Sequence, residues 1–189
     1  ARFLIGFFRN HGLLQIRDRP QWKTIAGGAR TYVEGLMRPL RGKVRLNCPV
    51  HSVVRHHSHV RIQPERGSAE DFDYVVFASH ADQTVRMLSD ADPTEESILS
   101  CFPYQRNEAV LHTDVRLLPV RRRAWASWNY HIPQTPNAPA CVTYDLSRLQ
   151  NHASAEPLLL TLNGTGSVDA ARVLQRFTYH HPAYTLESV

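Results

Sequence analysis

Eleven of the 189 residues are histidines, and His56, His57 and His59 fall in one short stretch. Imidazoles so close together could ligate a transition metal. Ligands normally converge from several elements, and no acidic or cysteine partner lies nearby in the chain, so a polar hairpin tip is the better reading and no metal site is expected. Arg121-Arg122-Arg123 runs into Trp125 and Trp128, and arginine beside aromatic rings can grip single-stranded nucleic acid. Arginine is scattered along the whole chain, so a charged turn entering a half-buried strand is preferred. Serine, histidine and aspartate all occur, but no G-x-S-x-G elbow presents a nucleophile. Neither G-x-G-x-x-G nor G-x-x-x-x-G-K-[ST] is present, so no phosphate cradle is encoded. Cys48, Cys101 and Cys141 are sparse and odd in number, which fits a reducing compartment rather than a disulfide framework.

The elements that would carry these residues follow from periodicity. Phe3, Leu4, Phe7 and Phe8 recur at helical spacing, with Gly12 as a stop. Gly27-Gly28 frees the backbone to turn before a helix from about Ala29 to Leu40, with Tyr32, Val33, Leu36, Met37 and Leu40 on one face. Short strands are expected at Val44–Leu46, Val50–Arg55 and Val60–Gln63, with turns at His56–His59 and Arg66–Ser68. Phe72–Ala78 is strongly apolar, as in a strand buried on both faces. Helices follow at about Ala81–Leu88 and from Pro93 to Cys101, the second opened by proline and by Glu95 and Glu96 in its first turn. Beyond Pro103 the texture becomes that of an antiparallel sheet. Its strands are expected at Asn107–Asp114, Ala124–His131, Ala140–Tyr144, Leu158–Asn163 and Arg176–His180. Pro133–Pro139 reads as a loop and Asp169–Leu174 as a short helix.

The totals bound the class. Hydrophobic residues make up 42% of the chain, enough for a real core. No apolar run reaches the roughly 18 residues of a membrane span. The net charge of +5 permits an acidic partner without demanding one. The chain opens without methionine inside a helical pattern. The expectation is therefore an interior segment of a larger cytoplasmic protein, with no complete catalytic or cofactor site of its own.

One order of motifs goes further. Gly27-Gly28 and its helix lead to Pro49-Val50, then a hairpin, then Asp73-Tyr74-Val75-Val76-Phe77-Ala78. With Asn10–Leu14, Arg19–Trp22, Ala109–Asp114, Ala124–Tyr130 and His181-Pro182-x-Tyr184, this order resembles the flavin-containing amine oxidase superfamily, in particular the bacterial proteins described as predicted NAD/FAD-binding and amine-oxidase-like. The resemblance implies an α+β fold with mixed or antiparallel sheets and flanking helices, forming part of an FAD/NAD(P)-binding domain plus a substrate domain. Residues 1–80 would be a partial FAD-binding side, 81–165 a substrate-domain-like sheet with helices, and 166–189 a return toward the FAD domain. By the same resemblance, the main chain of Val50 would meet the adenine end of FAD. Ala78 and Ser79 would form the turn that closes near the nucleotide, although Ser79-His80 differ from the residues many relatives carry there. His112 falls where many amine oxidases place a lysine near flavin N5. A histidine there could hold a water or shuttle a proton; the plainer alternative is a buried sheet histidine.

The implied activity is hydride transfer from an amine-bearing or lipid-like substrate to the flavin of the whole protein, with this segment inactive alone. The expected partners are the remaining parts of its own FAD domain and a small-molecule substrate, with no membrane span, and nucleic acid is not the expected partner. The rival readings are a non-enzymatic binding module using the Arg121–Trp128 surface and an interaction domain with an exposed sheet.

Overall fold

The computed structural model describes residues 2–21, 23–132, 140–151 and 154–188. Trp22 and the Pro133–Pro139 loop expectation lie outside them. The α+β class holds: five helices accompany two antiparallel-paired sheets among the described residues. In chain order the elements are α1 (Arg2–Asn10), α2 (Ala29–Met37), β1 (Val50–Arg55), β2 (Val60–Pro64), β3 (Glu70–Phe72), α3 (Ala81–Met87) and α4 (Pro93–Ser100). They continue with β4 (Tyr104–His112), β5 (Trp128–His131), β6 (Cys141–Asp145), α5 (Leu146–Gln150), β7 (Leu159–Leu162) and β8 (Val173–Pro182). The chain divides into two compact units, one of residues 1–21, 32–104 and 182–189, the other of residues 22–31 and 105–181.

The first unit is built on the sheet β1-β2-β3. Val50 pairs with Pro64 and Arg55 with Val60, with an irregularity between Val50 and Ser52, and the hairpin tip falls at the histidine stretch. Val53, Val60 and Leu88 form its core, with Val50, Ile62, Val75, Phe77 and Ala91 packed against them. Burying one such valine or leucine side chain is worth about 1.5–3 kcal/mol. The amide of Ser89 donates to the carbonyl of Val53 (2.9 Å), which ties the end of α3 to the outer edge of β1. A capping box starts α4: Asp92 accepts from the amides of Thr94 and Glu95, and Glu95 reaches back to the amide of Asp92. Arg55 then clamps β1 to this corner through Asp90 (2.8 Å) and both oxygens of Glu95 (2.6 and 2.7 Å). Gly12 ends the first helical stretch at φ +65°, with the Pro20 ring so close that no Cβ would fit.

Three expected strands differ. Val44–Leu46 is irregular, since among the described residues no neighbouring strand pairs with it. Strand geometry at the apolar 72–78 segment is confined to Glu70–Phe72, which pairs with β2. Beyond it the chain has no ladder partner among the described residues. It alternates instead of burying both faces: Val75 and Phe77 meet the core, while Tyr74 and Val76 are 88% and 90% exposed. Ala124–His131 shortens to β5 because Arg122–Ala124 forms a 3₁₀ turn. The indole of Trp125 donates to the carbonyl of Pro119 (2.8 Å), and the guanidinium of Arg122 lies 5.4 Å from its ring centre. This arginine–tryptophan pair is therefore satisfied within its own turn.

The second unit carries the sheet β5-β6-β7-β4-β8. Antiparallel register places Val110 opposite Thr161, Thr161 opposite Thr143 and Thr143 opposite Asn129. Side chains alternate along a strand, so residues paired across strands share a face. One face thus gathers Val110, His112, Leu159, Thr161, Thr143, Cys141, Asn129 and His131. The Asp169–Leu174 expectation resolves into a 3₁₀ turn at Ala170–Arg172 followed directly by β8.

Candidate functional site

The residues singled out from the sequence fall in separate units. Val50 heads the edge strand β1, and its side chain joins the Val53–Val60–Leu88 core. Val75 and Phe77, which lead into Ala78 and Ser79, pack on the same core. Ala78 and Ser79 are exposed. The Ser79 hydroxyl meets that of Thr84 at 2.9 Å, and Thr84 also donates to the carbonyl of His80 (3.1 Å), which fixes the turn into α3. The His80 ring stacks on Tyr104 with ring centres 4.2 Å apart, and the Tyr104 hydroxyl accepts from the amide of Ala81 (3.1 Å). An edge strand presents main-chain groups to a partner, and Val50 heads one. No glycine-rich turn in the chain fits the pyrophosphate.

His112 lies in the second unit with no exposed surface. Its Nδ1 accepts from the amide of Asp114 (3.0 Å) and its Nε2 contacts Thr161 Oγ1 (2.8 Å). Burial pushes its pKa down, and the Asp114 charge opposes this only in part. The ring is therefore neutral. Because an amide can only donate, Nδ1 is the unprotonated nitrogen and Nε2 carries the hydrogen. The contacts continue: Thr161 Oγ1 meets Thr143 Oγ1 at 2.8 Å, and Thr143 Oγ1 meets His131 Nε2 at 2.9 Å. Four side chains on β4, β7, β6 and β5 thus form one line across the sheet, with both threonines fully buried.

Beside the line stands a charged knot. The Asp114 carboxylate, 1% exposed, accepts from the amide and Nε of Arg116 through Oδ1, and from Arg116 Nη2 and the Asp169 amide through Oδ2. The Arg116 guanidinium holds the Asp114 carboxyl well below the usual carboxylate range. A cavity of about 310 Å³ opens here, lined by Arg116, Leu117, His131, Cys141, Gly164 and Ser167. Burial pushes the Cys141 thiol up, so it stays protonated and a weak nucleophile at neutral pH. A Cβ at Gly164 would overlap Cys141 Sγ and sit 3.2 Å from Thr161 Cγ2, so only glycine leaves this wall open.

His131, Cys141, Thr143 and Thr161 escaped the sequence reading. The signal was present as threonines at inward positions of otherwise apolar strands, but only the register shows that they meet. The His56–His59 stretch forms the hairpin tip, with the rings of His56 and His59 stacked 4.5 Å apart. Among the described residues no three His, Cys, Asp or Glu side chains converge as a metal set. Among the described residues no helix is long and apolar enough to cross a membrane.

Comparison with known proteins bears on residues 4–97, which match the family described as flavin containing amine oxidoreductase. No curated protein matches. Among solved structures, wild-type putrescine oxidase bound to putrescine is similar at 13% identity and a TM-score of 0.51, over 77% of this chain and 32% of that one. The putrescine oxidase A394C variant gives 13% and 0.50, over 72% and 29%. The CLA-producing fatty acid isomerase from P. acnes gives 17% and 0.49, over 84% and 32%. The likeness to putrescine oxidase is one of fold, and the chain spans about a third of the length of these structures.

Proposed function

We propose, from the match of residues 4–97 to the family described as flavin containing amine oxidoreductase, that this chain is an interior segment of an FAD-dependent oxidoreductase that acts on an amine-bearing or lipid-like substrate. The family match carries the reading. A bound flavin supplies the hydride acceptor. In this reading residues 1–80 lie on the FAD side, 81–165 belong to the substrate domain and 166–189 return toward the FAD domain.

The chain's own residues have limited tasks. The main chain of Val50 holds the adenine end along the β1 edge, and Ala78 and Ser79 close the turn beside it. His112 is the proposed proton-handling group. With both ring nitrogens engaged, its influence runs through Thr161 and Thr143 to His131 rather than by direct contact with solvent. The absence of a pyrophosphate cradle from the sequence means that this segment alone binds FAD weakly or not at all.

The test is a flavin titration of the 189-residue chain and of a longer protein that contains it. Stoichiometric binding by the longer protein and none by the segment is expected. Tight binding by the segment, or none by the longer protein, overturns the reading. A strand followed by G-x-G-x-x-G upstream of Ala1 is the sequence feature the proposal requires.

A further inference from the structure

We propose that the cavity of the second unit is a binding site for a small uncharged carbonyl compound, an amide or ketone, held by the Nδ1–H of His131, whose tautomer is set across three strands by the backbone amide of Asp114. This shares the line from His112 to His131 with the flavin reading but does not depend on it, because it uses none of the residues 1–80 placed on the FAD side.

The Asp114 amide must donate, so His112 Nδ1 accepts and Nε2–H donates to Thr161. Thr161 is fully buried, and its only other side-chain partner among the described residues is the Thr143 hydroxyl. Were Thr143 to donate toward Thr161, the Thr161 hydrogen would have no acceptor, a cost that buried polar groups avoid. Thr161 therefore donates to Thr143, and Thr143 donates to His131 Nε2. A neutral His131 must then carry its hydrogen on Nδ1, which makes no hydrogen bond among the described residues. The line cannot run backwards: it would leave His112 with both nitrogens accepting, as an imidazolate. It is a polarity lock that makes His131 a fixed donor, and His112, Thr161 and Thr143 are its positioning residues.

The ligand class follows from what surrounds that donor. A hydrogen-bond donor calls for an acceptor oxygen, which disfavours an ammonium. Arg116 adds no net pull on an anion, since its Nε and Nη2 already serve Asp114 and Nη2 lies 3.7 Å from Asp169. One guanidinium thus faces two carboxylates. Leu117, the protonated Cys141 thiol and the side-chain-free wall at Gly164 supply the uncharged part of the lining.

Nitrogen-15 NMR of the histidine rings in the 189-residue chain tests this. In the wild type the Nδ1–H form of His131 is expected to exceed Nε2–H at least about fivefold, the bias an unpaired buried hydroxyl imposes. Thr161→Val, which does not touch His131, removes the bias, and Thr161→Ser keeps it. Millimolar N-methylacetamide perturbs His131 and Ser167 resonances more than methylammonium or acetate does. A predominant Nε2–H form in the wild type overturns the proposal, even if Thr161→Val fails to fold. So does an unchanged tautomer in folded Thr161→Val, or a stronger response to methylammonium or acetate than to the amide.

Discussion

Replacing Asp114 by asparagine changes one oxygen to an amino group in a setting where both oxygens accept. Whichever way the amide turns, one backbone amide, of Arg116 or of Asp169, faces a donor, and one guanidinium bond is lost. A hydrogen bond to a charged group is worth about 1.5–3 kcal/mol. The Arg116 side chain is 66% exposed and regains water, so its share falls to at most about 1 kcal/mol. The expected loss for Asp114→Asn is about 2–4 kcal/mol at pH 7, read by urea unfolding with tryptophan fluorescence, since Trp125 and Trp128 belong to the same unit. The pH dependence gives a second handle. A carboxyl whose folded pKa is depressed contributes stability that is complete above its unfolded value of about 3.9 and fades as pH falls toward the folded one. The gap between wild type and variant therefore narrows at pH 3. A loss below about 1 kcal/mol at pH 7, or an equal gap at both pH values, would show that the Asp114 carboxylate does not hold this turn.

Three further outcomes follow from other corners of the molecule. Gly164→Ala drives a methyl into Cys141 Sγ and costs about 1–3 kcal/mol, as overpacking does; Cys141→Ala in the same chain recovers most of it, and strict additivity of the two changes in unfolding experiments would contradict the clash. Asp92→Ala removes the side-chain half of the α4 capping box, leaving the backbone amide of residue 92 to donate to Glu95, and costs about 1 kcal/mol, seen as faster amide exchange at Thr94 and Glu95 while β7 is unchanged. Arg55 lowers the Glu95 carboxyl to about 2. An NMR titration of Arg55→Ala brings it back toward the ordinary glutamate range, and the stability the pair adds above that range is lost in the wild type as pH falls toward 2.

Local chemistry was legible where it is written within a few residues. Pro93 with Glu95 and Glu96 announced α4, and the alternation of Val50–Arg55 announced β1. The strand expected at Phe72–Ala78 shows the limit, because its composition speaks of burial on two faces while strand geometry needs a neighbour to pair with, and none stands beside 73–78 among the described residues. His112 was reached through a resemblance rather than through its own surroundings. Its partners Thr161 and Thr143 lie 49 and 31 positions away, and nothing in a linear pattern says that two threonines at alternating positions will meet a histidine once the register is set.

The 73–78 segment also has a practical side. A stretch whose amides make no backbone hydrogen bond among the described residues, with Val75 and Phe77 against the core and Tyr74 and Val76 turned to solvent, is a template on which another chain can add itself as a strand. Solutions of this polypeptide should thus be concentration-sensitive in handling, precipitating by edge-to-edge growth rather than by loss of the folded units. A lysine in place of Val76 would act as a gatekeeper: it touches no core residue, and it should raise the usable concentration without moving the unfolding midpoint.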